Sequence, residues 1–502
     1  MKLKFYQLFF GVALIIHIVF SLLGWNGPIT DLHGFRQTQT AISSYFFVKE
    51  GFQINYQTPI LGPPWSIPLE FPLFQATVAL IVKIFHTPLD QTGRFTSLIF
   101  FYLIIAAVFA ILKELKLSSP DRFLTASLIL VSPIYIFWSR TFMIESLALF
   151  LSLLYLYFTL IQYRKQSKLK LLLAQAFTGS LAILTKITTF IPIVIPVGIY
   201  HLFLLKSRLQ KKNSGLFNII STWVSEGIIS IFLPLFVGVI WVRYSDSIRS
   251  LNPLGSDVFV TDKIMWIFGG TFEKLHPEFW ISIFGKINSF VLGSWYLILL
   301  ILAINLFANK YRVLSLISLG VFFLGPVIFT NLYSLHDYYY YANSVFIYSS
   351  LGFSLASLLE IKKIKPLLYL TVIPGLFALL IYTYLKSYYP AQKSNTDDIR
   401  EIGKIINRST SDDDILLIYG YNLDPRIPYY SKRKAIMDQW NRPLSNEQIH
   451  KSILKLGQEK IGGLLVLQNW PDFINDRVKD LNLSPQPVFV NKWGSFYVRN
   501  KI

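Results

Sequence analysis

The stretch that decides the fold is the N-terminal MKLKFYQLFFGVALIIHIVFSLLGW, residues 1–25. Lys2 and Lys4 precede an apolar run of about 20 residues, which is long enough for one helix to cross the roughly 30 Å of bilayer hydrocarbon. A small-x-small cleavage site does not follow this run, so it does not resemble a removable signal peptide. We therefore predict a retained first membrane span that starts in the cytoplasm and ends outside it.

The same pattern continues along the chain. Of its 502 residues, 53% are hydrophobic and only 15% are charged, and the mean hydropathy is +0.48. Many separate apolar stretches, each of about 20 residues, account for this balance. The aromatic share of 16% suits a membrane protein, since Trp and Tyr favour the interfaces. The predicted fold class is a polytopic α-helical membrane protein with about 11–13 transmembrane helices.

The net charge of +19 does not indicate a nucleic-acid partner. Residues 1–386 hold 30 Lys and Arg against 15 Asp and Glu, whereas residues 387–502 hold 17 against 13. The excess therefore lies in short basic loops between apolar stretches, which is the positive-inside pattern that sets membrane orientation. The chain has no cysteine, which excludes disulfides, thiolate metal sites and a cysteine nucleophile.

One apolar run is too short to cross the membrane. PLFQATVALIVKIF (72–85) has 14 residues and contains Lys83, so we predict an interfacial or re-entrant helix. With that assignment the basic KELKLSSPDR (113–122) falls in the cytoplasm, whereas a crossing at 72–85 would place it outside. Residues 26–94 then form the first outer loop.

The chain changes character after residue 386. DILLIYGY (414–421) and IGGLLVLQN (461–469) have the pattern of buried strands, and DDIREIGKIINRS (397–409) that of an amphipathic helix. We predict a small α/β domain over residues 387–502, on the extracytoplasmic face, following a transmembrane catalytic domain over residues 1–386. The tail has no Gly-rich phosphate loop, and its run Asp412–Asp414 has the pattern of a solvated turn.

Three acids lie at the outer face where apolar sequence is closest: Asp31 after the first span, Glu70 before the short helix, and Glu145 at the start of a later span. An acid that stays ionised beside lipid and near a cation can act as a base. For Glu145 an interaction with the helix dipole is an equally good explanation. Glu226 falls inside a span, where it needs a partner or a cavity, and a structural hydrogen bond explains it best.

Basic and polar groups at the same face suit an anionic ligand. Lys186 lies between two apolar runs. It is either a snorkelling lysine or a cation that binds a phosphate. Nearby arginines would then bind the same phosphate with bidentate hydrogen bonds. HDYYYY (336–341) combines a His-Asp pair with four tyrosines, and an interfacial aromatic belt would explain only the tyrosines. The candidate phosphate-binding residues are Arg36, Arg140, Lys186, His336, Asp337 and Tyr340.

Five motifs together resemble a known group of enzymes. They are HGFRQTQTA (33–41), LEFPLFQ (69–75), RTFMIESL (140–147), LTKIT (184–188) and HDYYYY (336–341). Their order, and their placement on one face, is similar to GT-C superfamily membrane glycosyltransferases, in particular the protein O-mannosyltransferase and lipid A aminoarabinose transferase group. The resemblance covers about residues 1–350.

The resemblance implies transfer of a sugar from a polyprenyl-phosphate donor to an acceptor outside the cytoplasm, usually with inversion. It implies Asp31 as the base that deprotonates the acceptor, with His33 as the alternative, and Glu145 and Glu70 as further acids of the site. Lys186 and the His336 region match positions that hold the donor phosphate. It implies no cofactor, and a metal bridging Asp31, His33 and Glu145 would be a departure from the group.

The residues leave other functions open. A transporter or flippase of a lipid-linked sugar is the main alternative, and a non-catalytic scaffold is a second. As acceptor, a protein hydroxyl, a lipid and a growing polysaccharide all fit. We expect the protein in the plasma (inner) membrane, with its active site and C-terminal domain facing outside the cytoplasm.

Overall fold

The computed structural model describes the chain except for residues 1, 165–168, 212–214, 254–262, 362, 439–450, 455, 468–472 and 500–502. It divides into two compact units. The helical unit comprises Met1–Trp25, Arg94–Trp241 and Lys263–Lys393. The mixed unit comprises Asn26–Gly93, Val242–Asp262 and Ser394–Ile502, so that the first outer loop and the tail fall in the same unit.

The α-helices up to residue 431 are numbered in chain order. They are α1 (Lys2–Leu22), α2 (Gly34–Glu50), α3 (Leu73–Phe85), α4 (Leu89–Glu114), α5 (Ser119–Leu130), α6 (Pro133–Trp138), α7 (Glu145–Arg164), α8 (Leu169–Thr185), α9 (Ile187–Lys211), α10 (Leu216–Gly227), α11 (Leu233–Arg249), α12 (Ile264–Phe268), α13 (Thr271–Leu275), α14 (Pro277–Lys286), α15 (Tyr296–Phe307), α16 (Arg312–Ile328), α17 (Thr330–Leu335), α18 (Tyr340–Leu358), α19 (Lys365–Leu367), α20 (Ile373–Ser387), α21 (Tyr389–Lys393), α22 (Asp398–Ser409) and α23 (Arg426–Ser431). π-helical turns at Ile228–Phe232, Ile287–Leu292 and Leu368–Val372 continue α10, α14 and α19.

Six helical segments of the described chain are long and apolar enough to cross a membrane. They are Phe5–Leu22, Leu89–Glu114, Glu145–Arg164, Ile187–Gln210, Leu216–Arg249 and Lys365–Ser387. A seventh would be the pair Pro277–Leu292 and Tyr296–Phe307, which is bent by 84°. The predicted fold class is confirmed, although the predicted count of spans includes helices that are too short to qualify on length and composition.

The shorter helices have local causes. Residues 123–138 are apolar enough to predict a single span, but the structure divides them into α5 and α6, because Pro133 starts α6 and cannot donate a backbone hydrogen bond to continue α5. Leu73–Phe85 is an apolar helix of 13 residues, which agrees with the prediction that residues 72–85 are too short to cross.

The mixed unit contains a five-stranded sheet in the order β2-β1-β3-β5-β4. The strands are β1 (Ile415–Tyr419), β2 (Lys434–Met437), β3 (Ile461–Val466), β4 (Phe489–Asn491) and β5 (Gly494–Val498). β1 runs parallel to β2 and β3, whereas β5 is antiparallel to β3 and β4. This confirms the predicted small sheet near the C-terminus. The helices of the same region include α22, α23 and the helix Phe473–Asp480.

The first outer loop is hydrogen-bonded to β2, the strand at one edge of this sheet. The backbone N–H of Ala435 donates to Pro59 O at 2.9 Å, and that of Met437 donates to Ile60 O at 3.1 Å. Every residue of β1 is buried, as expected for a parallel strand that is covered on both faces. The strand, the loop and α22 thus share one apolar core.

Candidate active site

In the helical unit, Glu145 and Lys186 form a buried ion pair. Glu145 is the first residue of α7, and Lys186 lies at the break between α8 and α9. Lys186 Nζ donates to Glu145 Oε1 at 2.5 Å, and the side chains are only 6% and 4% exposed for the lysine and the glutamate. Lys186 is therefore a paired, buried cation and not a snorkelling lysine. Glu145 lies at the helix N-terminus, so the dipole contributes alongside the ion pair.

Two tyrosines of the HDYYYY motif cover the lysine. Lys186 Nζ lies 4.6 Å from the ring centre of Tyr339 and 5.1 Å from that of Tyr338. His336 stacks on Tyr338 with 5.4 Å between ring centres. Because aromatic faces attract cations, the rings add to the stabilisation of a lysine that is removed from water. The motif and the ion pair are thus parts of one cluster.

Asp337 joins this cluster to the turn that carries Arg140. Trp138 Nε1 donates to Asp337 Oδ2 at 3.2 Å, and Asp337 is 6% exposed. Arg140 follows in the turn between α6 and α7, is also buried, and has its guanidinium carbon 5.6 Å from the ring centre of Phe137. Tyr340 is instead fully buried against Tyr333, with 5.0 Å between ring centres.

In the mixed unit, Asp31 is fixed by the helix that follows it. Gln37 Nε2 donates to Asp31 Oδ1 at 2.5 Å and to the Leu32 carbonyl at 3.0 Å. His33 is the residue before α2 and has a left-handed backbone, with φ of 49°. This conformation turns the chain sharply between the acid and the helix, so Asp31 and Gln37 meet although six positions separate them.

The other two predicted residues of this unit bind each other. Arg36 NH2 donates to Glu70 Oε1 at 2.8 Å, with each side chain about one quarter exposed. The segment of Glu70 is held by Tyr56, whose hydroxyl donates to Glu70 O at 2.9 Å and accepts from Leu69 N at 2.8 Å. Burial raises the pKa of the Tyr56 phenol, so the hydroxyl stays protonated and keeps donating.

Sequence reasoning did not select several of these residues. Tyr338, Tyr339 and Trp138 lie in or beside the motifs, but only the fold shows which members of the aromatic run reach Lys186. Gln37 is a polar residue one turn into α2, a position that faces back toward the preceding loop. Arg94 is fully buried and donates to Trp25 O at 2.6 Å, which fixes the end of the first span.

The remaining intramembrane acid has a partner. Arg208 NH2 lies 2.9 Å from Glu226 Oε2, and Glu226 is 3% exposed at its side chain. This agrees with the interpretation of Glu226 as a structural group. Within the described residues, no three His, Asp or Glu side chains are grouped so that they could hold a metal ion.

Comparison with known proteins gives a family match to part of the chain and a shared fold. Residues 66–237 match the family described as dolichyl-phosphate-mannose-protein mannosyltransferase. The structure of ArnT from Cupriavidus metallidurans bound to undecaprenyl phosphate is similar, with a TM-score of 0.59 at 14% identity, covering 99% of this chain and 98% of that one. No curated protein sequence matches.

A second enzyme shows the same fold. The archaeal oligosaccharyltransferase AglB from Archaeoglobus fulgidus, in complex with an inhibitory peptide and a dolichol-phosphate, has a TM-score of 0.54 at 13% identity. The alignment covers 92% of this chain and 70% of that one.

These findings define the class of the protein. It has the fold of the GT-C membrane glycosyltransferases, which confirms the resemblance that its motifs indicated. With the family match, they support an integral membrane glycosyltransferase that uses a lipid-linked sugar donor, and they do not favour a transporter.

Proposed function

We propose that the protein moves a sugar from a polyprenyl-phosphate donor to an acceptor hydroxyl on the extracytoplasmic face of the plasma (inner) membrane, with inversion at the anomeric carbon. The observation that carries the proposal is the buried Lys186–Glu145 pair beneath Tyr338 and Tyr339. An ion pair removed from water is expensive to maintain, and groups of this kind concentrate at functional sites.

The donor phosphate is the proposed ligand of the cation cluster. Lys186 has three N–H donors, of which Glu145 takes one. As the bond between the anomeric carbon and the phosphate oxygen breaks, the electron pair stays on the lipid phosphate, which gains negative charge. A fixed cation in a water-poor site stabilises that charge strongly. The proposed donor-phosphate residues are Arg36, Arg140, Lys186, His336, Asp337 and Tyr340, the last through its packing in this segment.

The acceptor has to lose a proton as its oxygen attacks. We assign this step to Asp31, with His33 as the alternative base. The hydrogen bond from Gln37 occupies Asp31 Oδ1 and fixes the plane of the carboxylate, so the other oxygen keeps a defined direction. Glu70 and Glu145 complete the proposed set of acids, each held by a cation.

The organisation of the chain follows the same proposal. Residues 1–386 form the transmembrane catalytic domain, with residues 26–94 as its first outer loop. Residues 387–502 form the extracytoplasmic α/β domain, which contacts the acceptor. The acceptor is a lipid, a glycan or a protein.

The test is transfer by the purified full-length chain in lipid vesicles, from a panel of polyprenyl-phosphate sugars to extracted cell-envelope acceptors. Asp31→Asn or Glu145→Gln should lower turnover by about a hundredfold or more, the usual share of a positioned acid or base. Asp413→Asn removes an exposed acid of a turn and is the matched control, with wild-type activity expected. Full activity of both active-site variants would refute the site assignment.

The donor assignment has its own test. Lys186→Met should raise the donor KM at least about tenfold, because the phosphate loses a charge-assisted hydrogen bond. Free polyprenyl phosphate should compete with the donor in the wild type and much less in the variant. An unchanged donor KM and unchanged competition would remove Lys186 from the phosphate site.

A further inference from the structure

The loop that carries Asp31 depends on the tail of the chain for its shape. Residues 23–33 form turns and bends between α1 and α2, so their backbone groups have few partners of the regular kind. Ile29 is nevertheless fully buried, and its N–H donates to the Tyr430 hydroxyl at 2.8 Å. Tyr430 belongs to α23 and lies about 400 positions later in the chain.

The amide of Asn395 binds the two residues beside Ile29. Asn395 Nδ2 donates to Pro28 O at 2.6 Å, and Thr30 Oγ1 donates to Asn395 Oδ1 at 2.8 Å. One planar side chain therefore contacts both neighbours of the buried residue. Arg400 NH1 adds a donation to Asn26 O at 3.1 Å.

The Tyr430 hydroxyl is itself oriented by a carboxylate. It donates to Asp90 Oδ2 at 3.1 Å, which turns its oxygen lone pairs toward the Ile29 N–H. Tyr429 also donates to Asp90, at Oδ1, but is not bonded to Ile29. The chain of bonds Asp90–Tyr430–Ile29 thus ends two residues before Asp31.

We propose that Asn395 and Tyr430 are positioning residues of the transfer reaction, which fix the 26–33 loop so that the Asp31 carboxylate keeps the direction needed to accept the acceptor proton. This inference rests on the proposed function of Asp31. Tail side chains hold residues 28–30, and Gln37 of α2 holds Asp31 from the other side. The tail then takes part in turnover through the loop, in addition to any contact with the acceptor. A misplacement of a reacting group by about 1 Å is enough to lower a rate by about a hundredfold.

Two matched pairs of variants in the full-length enzyme test the proposal. Tyr430→Phe removes the hydroxyl that binds both Ile29 and Asp90, and Tyr429→Phe removes the neighbouring hydroxyl that donates to Asp90. Thr30→Val removes the hydroxyl that donates to Asn395 Oδ1, and Thr30→Ser keeps a hydroxyl at that position. We expect Tyr430→Phe, Asn395→Ala and Thr30→Val to lower kcat by about tenfold or more at saturating donor, with the donor KM within about twofold of wild type. Tyr429→Phe and Thr30→Ser should keep wild-type kcat, and all five should unfold at nearly the same temperature.

The outcomes separate this inference from the proposed function. If Asp31→Asn is inactive but Tyr430→Phe and Thr30→Val turn over like their controls, the positioning role is wrong and the site assignment stands. Equal losses in Tyr430→Phe and Tyr429→Phe, accompanied by a lower unfolding temperature, would also overturn it in favour of a structural role. If both Asp31→Asn and His33→Ala are fully active, the proposed base fails regardless of the tail variants.

Discussion

At the scale of single residues, the helical unit contains acidic side chains that are buried and paired with cations. Lys186 and Glu145 neutralise each other, and Arg208 neutralises Glu226. A buried pair of this kind is not a large source of stability, because desolvation offsets the attraction. A substitution that removes only one partner nevertheless lowers stability strongly, because the other charge stays buried without a partner.

That asymmetry gives a prediction. Lys186→Met should destabilise the protein by about 3–5 kcal/mol, because Glu145 is left buried without its partner. The double variant Lys186→Met with Glu145→Leu should recover most of the loss. Lys404→Met breaks an exposed pair with Glu401 and should change stability by about 1 kcal/mol or less. Thermal unfolding in detergent measures all three, and a double variant no more stable than the single would contradict the reasoning.

A second residue-scale prediction concerns pH. Asp438, at the end of β2, accepts a hydrogen bond from Gly420 N at 2.9 Å but is 2% exposed, and burial raises its pKa. Its contribution to stability is therefore fully present below the unfolded carboxyl value of about 3.9 and is lost as the pH rises through the raised value.

Asp438→Asn keeps the acceptor oxygen and removes the titration. The unfolding temperature of wild type should fall relative to this variant as the pH rises from about 4 toward 7. If the unfolding temperatures of wild type and Asp438→Asn changed with pH in parallel across that range, burial would not raise the pKa of Asp438.

At the scale of elements, the packing of α22 on α23 depends on a missing side chain. A Cβ at Gly403 would lie 2.6 Å from the carbonyl carbon of Tyr430, which cannot rotate away. Gly403→Ala should therefore destabilise the mixed unit by about 1–3 kcal/mol. Gly320 in α16 has open space around it, so Gly320→Ala should be neutral or stabilising by up to about 1 kcal/mol. A thermal unfolding comparison in which both variants behave alike would contradict this packing.

The elements themselves were largely predictable from sequence. Apolar runs longer than 18 residues specify helices without tertiary help, and β1 and β3 were visible as continuous apolar runs bounded by turn residues. One exception is the stretch 123–138, whose average hydropathy indicates one span although Pro133 divides it. Local backbone chemistry decided this case, and a hydropathy average does not register it.

At the scale of the whole molecule, the sequence indicates candidate site residues but not which side chains pair with one another. Arg36, a proposed donor-phosphate residue, donates to Glu70, and the two tyrosines over Lys186 are Tyr338 and Tyr339. Such pairings join positions tens to hundreds of residues apart, so no local pattern encodes them. The hydrogen bonds from Asn395 and Tyr430 to the first outer loop belong to the same class.

The central claim is that the residues of the site face the outside of the cell together, and membrane topology tests it most directly. The chain has no cysteine, so single cysteines can be introduced without a background. Three exposed positions lie on the predicted outer side: Phe35 within HGFRQTQTA (33–41), Leu335 just before HDYYYY (336–341), and Thr396 in the tail. On the predicted cytoplasmic side, Lys113 is exposed in KELKLSSPDR (113–122), and Lys206 is exposed where the basic run KSRLQKKN (206–213) begins.

Membrane-impermeant maleimide applied to intact cells should label Phe35→Cys, Leu335→Cys and Thr396→Cys, and should label Lys113→Cys and Lys206→Cys only after permeabilisation. Labelling of position 35 from one side of the membrane and position 335 from the other would contradict the account.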